Sequence, residues 1–338
     1  MPLKSSTYKP DGFRTVISPA SAEYRLTYGK GIMLIGSCFT ENIGNYLARY
    51  KFSADQNPFG IVYNPLSIAA QIRRLVENTP YKAEDLVFRD DLWHSFDHHG
   101  RFSDVNQELC LNRINSRLEQ SASFIRHAGH LILTFGTPRV YNRKSSGEPV
   151  ANCHKFPEAD FSSKLYEPEE ILEKLIQVID LLRNINPDIR LVWSVSPVRY
   201  LKEGAPGNQL SKSILIRMIV RLLETYPESY YFPAYEIFMD DLRDYRYYAT
   251  DLVHPGEAGI DYVWERFKES CIDPDSIELM NRLEPVIKAA RHRQSGEITM
   301  ARKEFYISQL EKISKLKEEF PFLNFDPEIK AFSSARQS

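Results

Sequence analysis

Two short stretches of the sequence carry residue types that can do covalent chemistry together. Ser37 and Cys38 stand side by side in "GKGIMLIGSCFTENIG", and Asp251 and His254 lie three residues apart in "YATDLVHPGEAG". A hydroxyl becomes a nucleophile when an imidazole takes its proton and a carboxylate holds that imidazole in the right tautomer. Ser37, His254 and Asp251 therefore have the residue types needed for acyl transfer.

Each stretch also has a purely structural interpretation. Serine is a favoured residue at the start of a helix, so an isolated Gly-Ser more often marks a helix cap than a nucleophile. Asp-x-x-His-Pro, taken alone, favours a capped helix with a surface histidine. The presence of both stretches in one chain favours the catalytic interpretation. Cys38 is expected to be a packed thiol beside the nucleophile, because free cysteines are commonly buried.

The residues around Ser37 predict a strand, a turn and a helix. The unbroken apolar run 32–35 is typical of a strand that is buried on both faces of a parallel sheet. The following apolar residues recur at helical spacing and predict a helix over 40–50: Phe39, Ile43, Leu47 and Tyr50. Ser37 would then lie where free N–H groups and the helix dipole favour developing negative charge.

Further apolar runs alternate with helical patterns along the chain. Strands are predicted within 130–137, 190–198 and, more weakly, 230–238, with amphipathic helices between them. This alternation indicates an α/β fold with a parallel sheet and helices on both sides. A histidine that follows the last strand can reach a serine that follows the first, because parallel strands align their carboxyl ends.

Two regions fit the alternation less well. Residues 52–128 are polar and aromatic, and we predict long loops and short helices over the edge of the sheet. From about residue 272 the sequence is helical and charged, which predicts a helical hairpin. The predicted organisation is a catalytic domain at 1–271 and a helical C-terminal extension at 272–338.

Composition narrows the classes of function. With 43% hydrophobic and 26% charged residues, the 338-residue chain is ordinary for a soluble globular protein. Its net charge of −2 gives no electrostatic reason to expect nucleic acid or an anionic membrane as a partner. The amino terminus lacks the apolar core of a signal peptide, and no segment is apolar enough to span a bilayer. A cytoplasmic protein that acts on a small molecule is the expectation.

Metal or disulfide chemistry has little support in the sequence. The four cysteines are widely scattered without CxxC pairs, which predicts reduced thiols. The stretch "WHSFDHHG" offers His94, Asp97, His98 and His99 as potential ligands, but adjacent histidines on an irregular segment do not share a face. We expect no metal ion and no cofactor, and we place Trp93, Ser95 and His99 in the substrate cleft instead.

The order of these motifs resembles a known group of enzymes. Gly-Ser near the amino terminus and a late Asp-x-x-His are similar to the SGNH (GDSL-like) hydrolase superfamily. The run "GSCFTENIG" resembles the GSCFA-domain family, which is placed within that superfamily. Further similar stretches span about residues 12–270: "NPFGIVYNP", "LTFGTPRVY", "ANCHKFP", "SVSPVRYLK", "YFPAYEI" and "DLRDYRYYATDLVHP".

The resemblance implies a fold and an activity. The fold would be the three-layer, flavodoxin-like SGNH type. Ser37 would be the nucleophile, His254 the general base and Asp251 its orienting partner. The expected activity is carboxylic ester hydrolysis through an acyl-serine intermediate, and the resemblance suggests O-acylated carbohydrate as a substrate. The same apparatus could serve an O-acyltransferase, and an inactive glycan-binding module is a third alternative. The oligomeric state is left open.

One expected element of the superfamily is missing from the sequence. The superfamily usually stabilises the oxyanion with a glycine N–H and an asparagine amide, yet Pro138 stands where that asparagine is expected. Candidate donors by resemblance are Gly60, Gly136 and Thr137. Either Asn152 or His154 could replace the missing amide, and a structural role for both in a turn is an equally open alternative.

Overall fold

A central parallel sheet organises the molecule. The computed structural model describes residues 6–11, 13–291 and 299–334. The strands are β1 (Ser6–Asp11), β2 (Arg14–Pro19), β3 (Gly31–Gly36), β4 (Ala54–Gln56), β5 (Val87–Arg89), β6 (Leu92–His94), β7 (Ala128–Phe135), β8 (Arg139–Arg143), β9 (Pro149–Val150), β10 (Phe161–Leu165), β11 (Arg190–Val195) and β12 (Tyr230–Phe232). The α-helices are α1 (Cys38–Arg49), α2 (Pro65–Glu77), α3 (Gln107–Ile125), α4 (Pro168–Ile185), α5 (Gly204–Thr225), α6 (Ala234–Glu236), α7 (Glu257–Cys271), α8 (Pro274–Arg291), α9 (Met300–Glu319) and α10 (Asp326–Ser334). Shorter 3₁₀ or π turns cover Ala83–Asp85, Gly100–Phe102, Glu158–Asp160, Leu201–Glu203, Ile237–Asp241 and Tyr245–Tyr247.

The strand order confirms the predicted fold class. The main sheet has the order β12-β11-β7-β3-β4, and every neighbouring pair is parallel. Numbered along the chain, its strands run 2-1-3-4-5, which is the flavodoxin-like order. Ligands of such sheets bind at the carboxyl ends of the strands, near the point where the order reverses. Here that point lies beside β3 and β7.

Helices cover both faces of the sheet. On β3, Met33 and Ile35 pack with α2, α3, α4 and α5, while Ile32 and Leu34 pack with α1 and α7. Successive side chains of a strand point to opposite faces, so an unbroken apolar run is needed where both faces are buried. The run 32–35 therefore contributes side chains to the hydrophobic layers on both faces of the sheet.

The prediction of loops and short helices over 52–128 is wrong for much of that region. It contains β4, which forms an edge of the main sheet, and the long helices α2 and α3. The Asn64 side chain caps α2 by accepting from the Ser67 N–H at 2.7 Å. Helix α3 buries only a narrow stripe of residues, and the rest of its surface is polar, so its helical periodicity is hard to recognise in the sequence. The buried residues are Cys110, Ile114, Leu118, Ser121, Ala122 and Ile125.

The C-terminal helices form their own apolar cluster against the sheet domain. Leu283, Ile313 and Phe332 are buried in this cluster. Lys51, which follows α1, pairs with Glu328 of α10 at 2.7 Å. The connection predicted within the helical hairpin falls at 292–298, outside the described residues. The division of the chain at residue 271 stays a prediction. Within the described part of the chain, no helix combines the length and apolarity needed to cross a membrane.

Gly36 is required at the end of β3. Its φ is +154°, and a Cβ there would lie 2.3 Å from the Thr134 carbonyl oxygen and 2.7 Å from Thr40 Oγ1. We expect Gly36→Ala to lower the free energy of unfolding by at least about 3 kcal/mol, because backbone strain and a clash with buried backbone act together. Chemical denaturation measures this loss. Gly29→Ala, where a Cβ would meet nothing within 4 Å, is the matched control; equal stability of the two variants would contradict the assignment.

Candidate functional site

Ser37 lies at the junction of β3 and α1, as predicted. It occupies the position before the first residue of α1, but its side chain makes no capping hydrogen bond. Its hydroxyl instead donates to Ser196 Oγ at 3.0 Å, and only 1% of the residue is exposed. Among the described residues, the Ser37 N–H has no hydrogen-bond acceptor. The capping interpretation therefore does not account for this hydroxyl.

Asp251 and His254 form the second half of the site. Asp251 Oδ2 lies 2.6 Å from His254 Nδ1, while Oδ1 accepts from the N–H groups of Val253 and His254 at 2.9 Å. A carboxylate can only accept, so Nδ1 carries the proton and Nε2 is left as the basic nitrogen. This is the tautomer that a general base needs.

The same contacts keep Asp251 ionised. The backbone N–H groups of His254 and Val253, followed by the His254 side chain, lower the pKa of Asp251 to about 2. The loop is strained at Leu252, an exposed residue with φ +59°. Non-glycine residues in this region are held there only when neighbouring contacts over-determine the backbone. Here the Asp251 hydrogen bonds and the Ala249 N–H to His254 carbonyl bond at 2.8 Å supply those contacts.

A cavity of about 520 Å³ opens at the carboxyl edge of the sheet. It is lined by residues from the ends of β7 and β11, from the segment 150–153 and from the His254 loop: Gly136, Thr137, Val150, Ala151, Asn152, Cys153, Ser196, Val198, Val253 and His254 are among them. A volume of this size suits a small ligand. Ser196 and His254 share this cavity.

The predicted hydrogen bond between Ser37 and His254 is absent. In the described part of the chain, no hydrogen bond within 3.5 Å joins His254 to Ser37 or to Ser196. Ser196 instead accepts from Ser37 and lines the cavity that His254 also lines. The motif "SVSPVRYLK" contains Ser196 but by itself assigns it no role. Its position directly after an apolar run was the available signal.

Most of the backbone donors suggested for an oxyanion are already engaged. The Gly60 N–H donates to the Asn57 carbonyl at 2.8 Å, and Gly60 packs against His99 rather than lining the cavity. The Gly136 and Thr137 N–H groups both donate to the Tyr63 carbonyl, at 2.8 and 3.2 Å. Their role as backbone donors is therefore corrected, because a committed N–H cannot stabilise an oxyanion without breaking its existing bond. The Thr137 hydroxyl remains at the cavity wall.

Asn152 and His154, the two candidates for the missing amide, have different surroundings. Asn152 lines the cavity, and its Oδ1 accepts from the His154 N–H at 2.9 Å. This bond fixes the orientation of the amide, and Nδ2 has no acceptor among the described residues. His154 turns away: its Nε2 lies 2.8 Å from the Ser95 carbonyl, and its ring packs 4.4 Å from that of His94. The structure supports a structural role for His154.

Neighbouring thiol and imidazole groups have structural surroundings. Burial raises the pKa of the Cys38 thiol, which disfavours the thiolate needed for nucleophilic attack. His94 contacts Ser103 Oγ at 2.7 Å, and His98 contacts Ser95 Oγ at 2.9 Å. In the described ranges, no group of three or more histidine, cysteine, aspartate or glutamate residues is placed to hold a metal ion.

Lys212 is a buried cation beneath the site that sequence analysis missed. It belongs to α5, is 1% exposed, and its Nζ donates to the carbonyls of Gly136 and Ser196 at 2.9 and 2.8 Å. Burial lowers its pKa from 10.5 to about 7. It therefore joins the carboxyl ends of β7 and β11 directly below Ser196. Within an amphipathic helix, one inward-facing lysine gives no distinct sequence signal.

Comparison with known proteins establishes the family. The model of the GSCFA family matches residues 31–267. The chain belongs to the GSCFA family. A second model, described as the C-terminal domain of GSCFA domain proteins, matches residues 283–337. Comparison with curated proteins gives no match.

Among solved structures, the chain is similar to an acetyl xylan esterase from the rumen bacterium Butyrivibrio proteoclasticus. The identity is 12%, the TM-score is 0.35, and the match covers 83% of this chain and 68% of that one.

The buried ammonium of Lys212 gives a pH-dependent stability. Because its folded-state pKa of about 7 lies below the usual 10.5, the unfolded chain binds more protons between these values. Stability linked to this group therefore increases as pH rises. From pH 7 to pH 9 we expect the free energy of unfolding of the wild type to rise by about 2 kcal/mol relative to Lys212→Met. Denaturation of both proteins across this range measures the difference, and parallel curves would contradict it.

Proposed function

We propose that this GSCFA-family protein is a serine esterase that hydrolyses a carboxylic ester through an acyl-serine intermediate. One observation carries the proposal: the buried Ser37 hydroxyl bonds to Ser196, which shares a cavity with a histidine already oriented by a carboxylate. In this proposal Ser37 is the nucleophile, His254 the base and Asp251 the orienting group. The resemblance to SGNH hydrolases agrees with these roles.

The proposed mechanism uses Ser196 as a proton relay. As the Ser37 oxygen attacks the ester carbonyl carbon, its proton passes to Ser196 Oγ, and the Ser196 proton passes to His254 Nε2, which approaches Ser196 across the cavity that both line. Asp251 stabilises the imidazolium that forms. When the tetrahedral intermediate collapses, the alcohol leaves and takes the proton from His254. Water then attacks the acyl-serine and gives its proton to His254. A proton returns from His254 through Ser196 to the Ser37 oxygen as the acid is released.

Two donors are proposed to stabilise the developing oxyanion. The Ser37 N–H lies at the amino end of α1, where unpaired N–H groups and the helix dipole favour negative charge. The Asn152 Nδ2 group is fixed by the bond to His154 and lines the cavity. A donor held in place before the reaction stabilises the transition state without reorganisation.

O-acylated carbohydrate is the proposed substrate class. Tyr63, Tyr141 and Tyr200 line the cavity and provide aromatic surface with polar edges. The same site could pass the acyl group to an alcohol instead of water. The partition of acyl product between water and an added alcohol distinguishes hydrolase from transferase.

The identity of the nucleophile can be tested by labelling. A serine-directed fluorophosphonate should form an adduct on Ser37, mapped by peptide mass spectrometry. Ser37→Ala should abolish both the adduct and the turnover of p-nitrophenyl acetate. Ser196→Ala should slow both about 10²- to 10⁴-fold, since a relayed proton transfer contributes on the order of other acid–base steps.

The control for this experiment is Cys38→Ala, which should retain most activity. An adduct on Ser196, or full activity in Ser196→Ala, would reject the relay. Absence of both adduct and turnover in the wild type would favour the inactive glycan-binding module.

The role of Asn152 can be separated from a structural one. Because its amide would act on the transition state, Asn152→Ala should lower kcat about 10²–10³-fold with little change in KM. His154→Ala is the matched control from the same segment and should lower the melting temperature with near-normal turnover per folded molecule. The reverse pattern in the two variants would overturn this assignment of the oxyanion donor.

A further inference from the structure

The cavity at the sheet edge has an unusual balance of charge. Arg139 and Arg199 line it, yet none of the described residues that line it is an aspartate or a glutamate. Two carboxylates adjoin this wall, Glu203 beside Arg139 and Asp251 beside His254, and both are already paired, which leaves Arg199 as the uncompensated charge among the described lining residues. A cleft lined by one sign of charge raises the local concentration of ligands of the opposite sign.

The two arginines differ in their partners. Arg139 forms an ion pair with Glu203, which neutralises it. Arg199 directs Nε and Nη2 to the thioether sulfur of Met239, at 3.3 and 3.2 Å. The neighbouring Asp240 pairs with Arg243 at 2.7 Å, and within the described ranges Arg199 has no ion pair with a carboxylate. A thioether is a weak acceptor, so an oxyanion can replace it on the guanidinium at little cost.

A second cation, Lys202, lies beside the tyrosine wall, the part of the cavity lining formed by Tyr141 and Tyr200. Lys202 Nζ lies 2.9 Å from the Tyr141 hydroxyl, whose pKa is lowered mainly by that hydrogen bond against the opposing effect of burial. The Tyr141 and Tyr200 hydroxyls lie 3.5 Å apart. Lys202 has Glu158 only at 3.8 Å, with both side chains exposed, which makes this pair weak. The positive potential at this wall is therefore only partly neutralised.

We propose that the substrates are acyl esters whose alcohol part carries a carboxylate or phosphate group, bound by Arg199 beside the tyrosine wall. This inference rests on the proposed esterase function and specifies its substrate class. Arg199 follows Ser196 by three residues on the same loop, and both residues line the cavity, so an anion bound by Arg199 shares that cavity with Ser196. An O-acylated uronic acid combines the sugar ring with the required charge.

The test compares charged esters with their neutral counterparts. Acetate release is measured from an O-acetylated methyl glucuronoside and from the corresponding glucuronamide, which is neutral and nearly the same size. O-acetylated glucose 6-phosphate and O-acetylated glucose form a second pair. We expect kcat/KM to be about 10- to 100-fold higher for the charged member of at least one pair, as for a charge-assisted hydrogen bond. The pair with the larger ratio identifies carboxylate or phosphate as the preferred group.

Variants and salt locate the source of the preference. Arg199→Gln should reduce the charged-to-neutral ratio at least about fivefold, and raising the ionic strength should reduce it in the wild type, because the guanidinium is exposed. Arg217→Gln, on the outer face of α5 and paired only loosely with Glu169, is the matched control and should keep the wild-type ratio. Equal rates for charged and neutral esters would overturn the proposal.

A binding measurement keeps this test independent of catalysis. Calorimetry with the Ser37→Ala protein should show tighter binding of methyl glucuronoside or glucose 6-phosphate than of their neutral counterparts. If the wild type hydrolyses no ester but this preference is present, the proposed function fails while the anion site stands. If esters are hydrolysed without a preference for charge, the anion site fails while the esterase function stands.

Discussion

The site depends on one buried lysine that joins two strands. Lys212 reaches through the apolar interior and donates to the carbonyls of Gly136 and Ser196, directly after β7 and β11. A buried carbonyl without a donor costs free energy, and so does a buried ammonium without acceptors. Each therefore requires the other, and together they hold Ser196 where it can accept from Ser37. The lowered pKa of Lys212 shows how strongly burial acts on this group.

The remaining parts of the site rest on supports of different rigidity. Ser37 and Ser196 follow central strands that are buried by two hydrophobic layers, and both are almost inaccessible. Asp251 and His254 lie on a half-exposed loop that is held by its own hydrogen bonds. Loops carry reactive groups on a rigid scaffold in many proteins, because they can adjust without disturbing the core. The histidine is thus oriented locally, while the serines are positioned by the whole sheet.

Competition for hydrogen-bond donors decides what can stabilise charge here. Gly60, Gly136 and Thr137 belong to the turns that build the sheet edge, and their N–H groups are used to close those turns. The amino end of α1 and the side chain of Asn152 are left available. The cavity wall adds guanidinium and tyrosine groups without any carboxylate among its described residues. Its polar groups are therefore mainly donors, which suits a ligand rich in acceptors.

Local sequence determined much of this protein. The four-residue apolar run before Ser37, the helical spacing after it and the alternation further along specify strand, turn and helix, and hence a parallel sheet. Asp251 and His254 are also a local feature, because three residues of separation suffice for one side chain to bond the other. The family motifs pointed to the same residues.

Other features were decided only by tertiary structure. Helix α3 was not predicted, because its buried stripe is narrow and its outer surface is polar. The Ser37–Ser196 bond and the Lys212–Gly136 bond join residues far apart in the chain, and only strand order brings them together. Whether an N–H is free depends equally on which carbonyl lies opposite, as at Gly136 and Tyr63. Sequence spacing encodes elements and their faces, whereas the partners of a polar group are chosen when those elements pack.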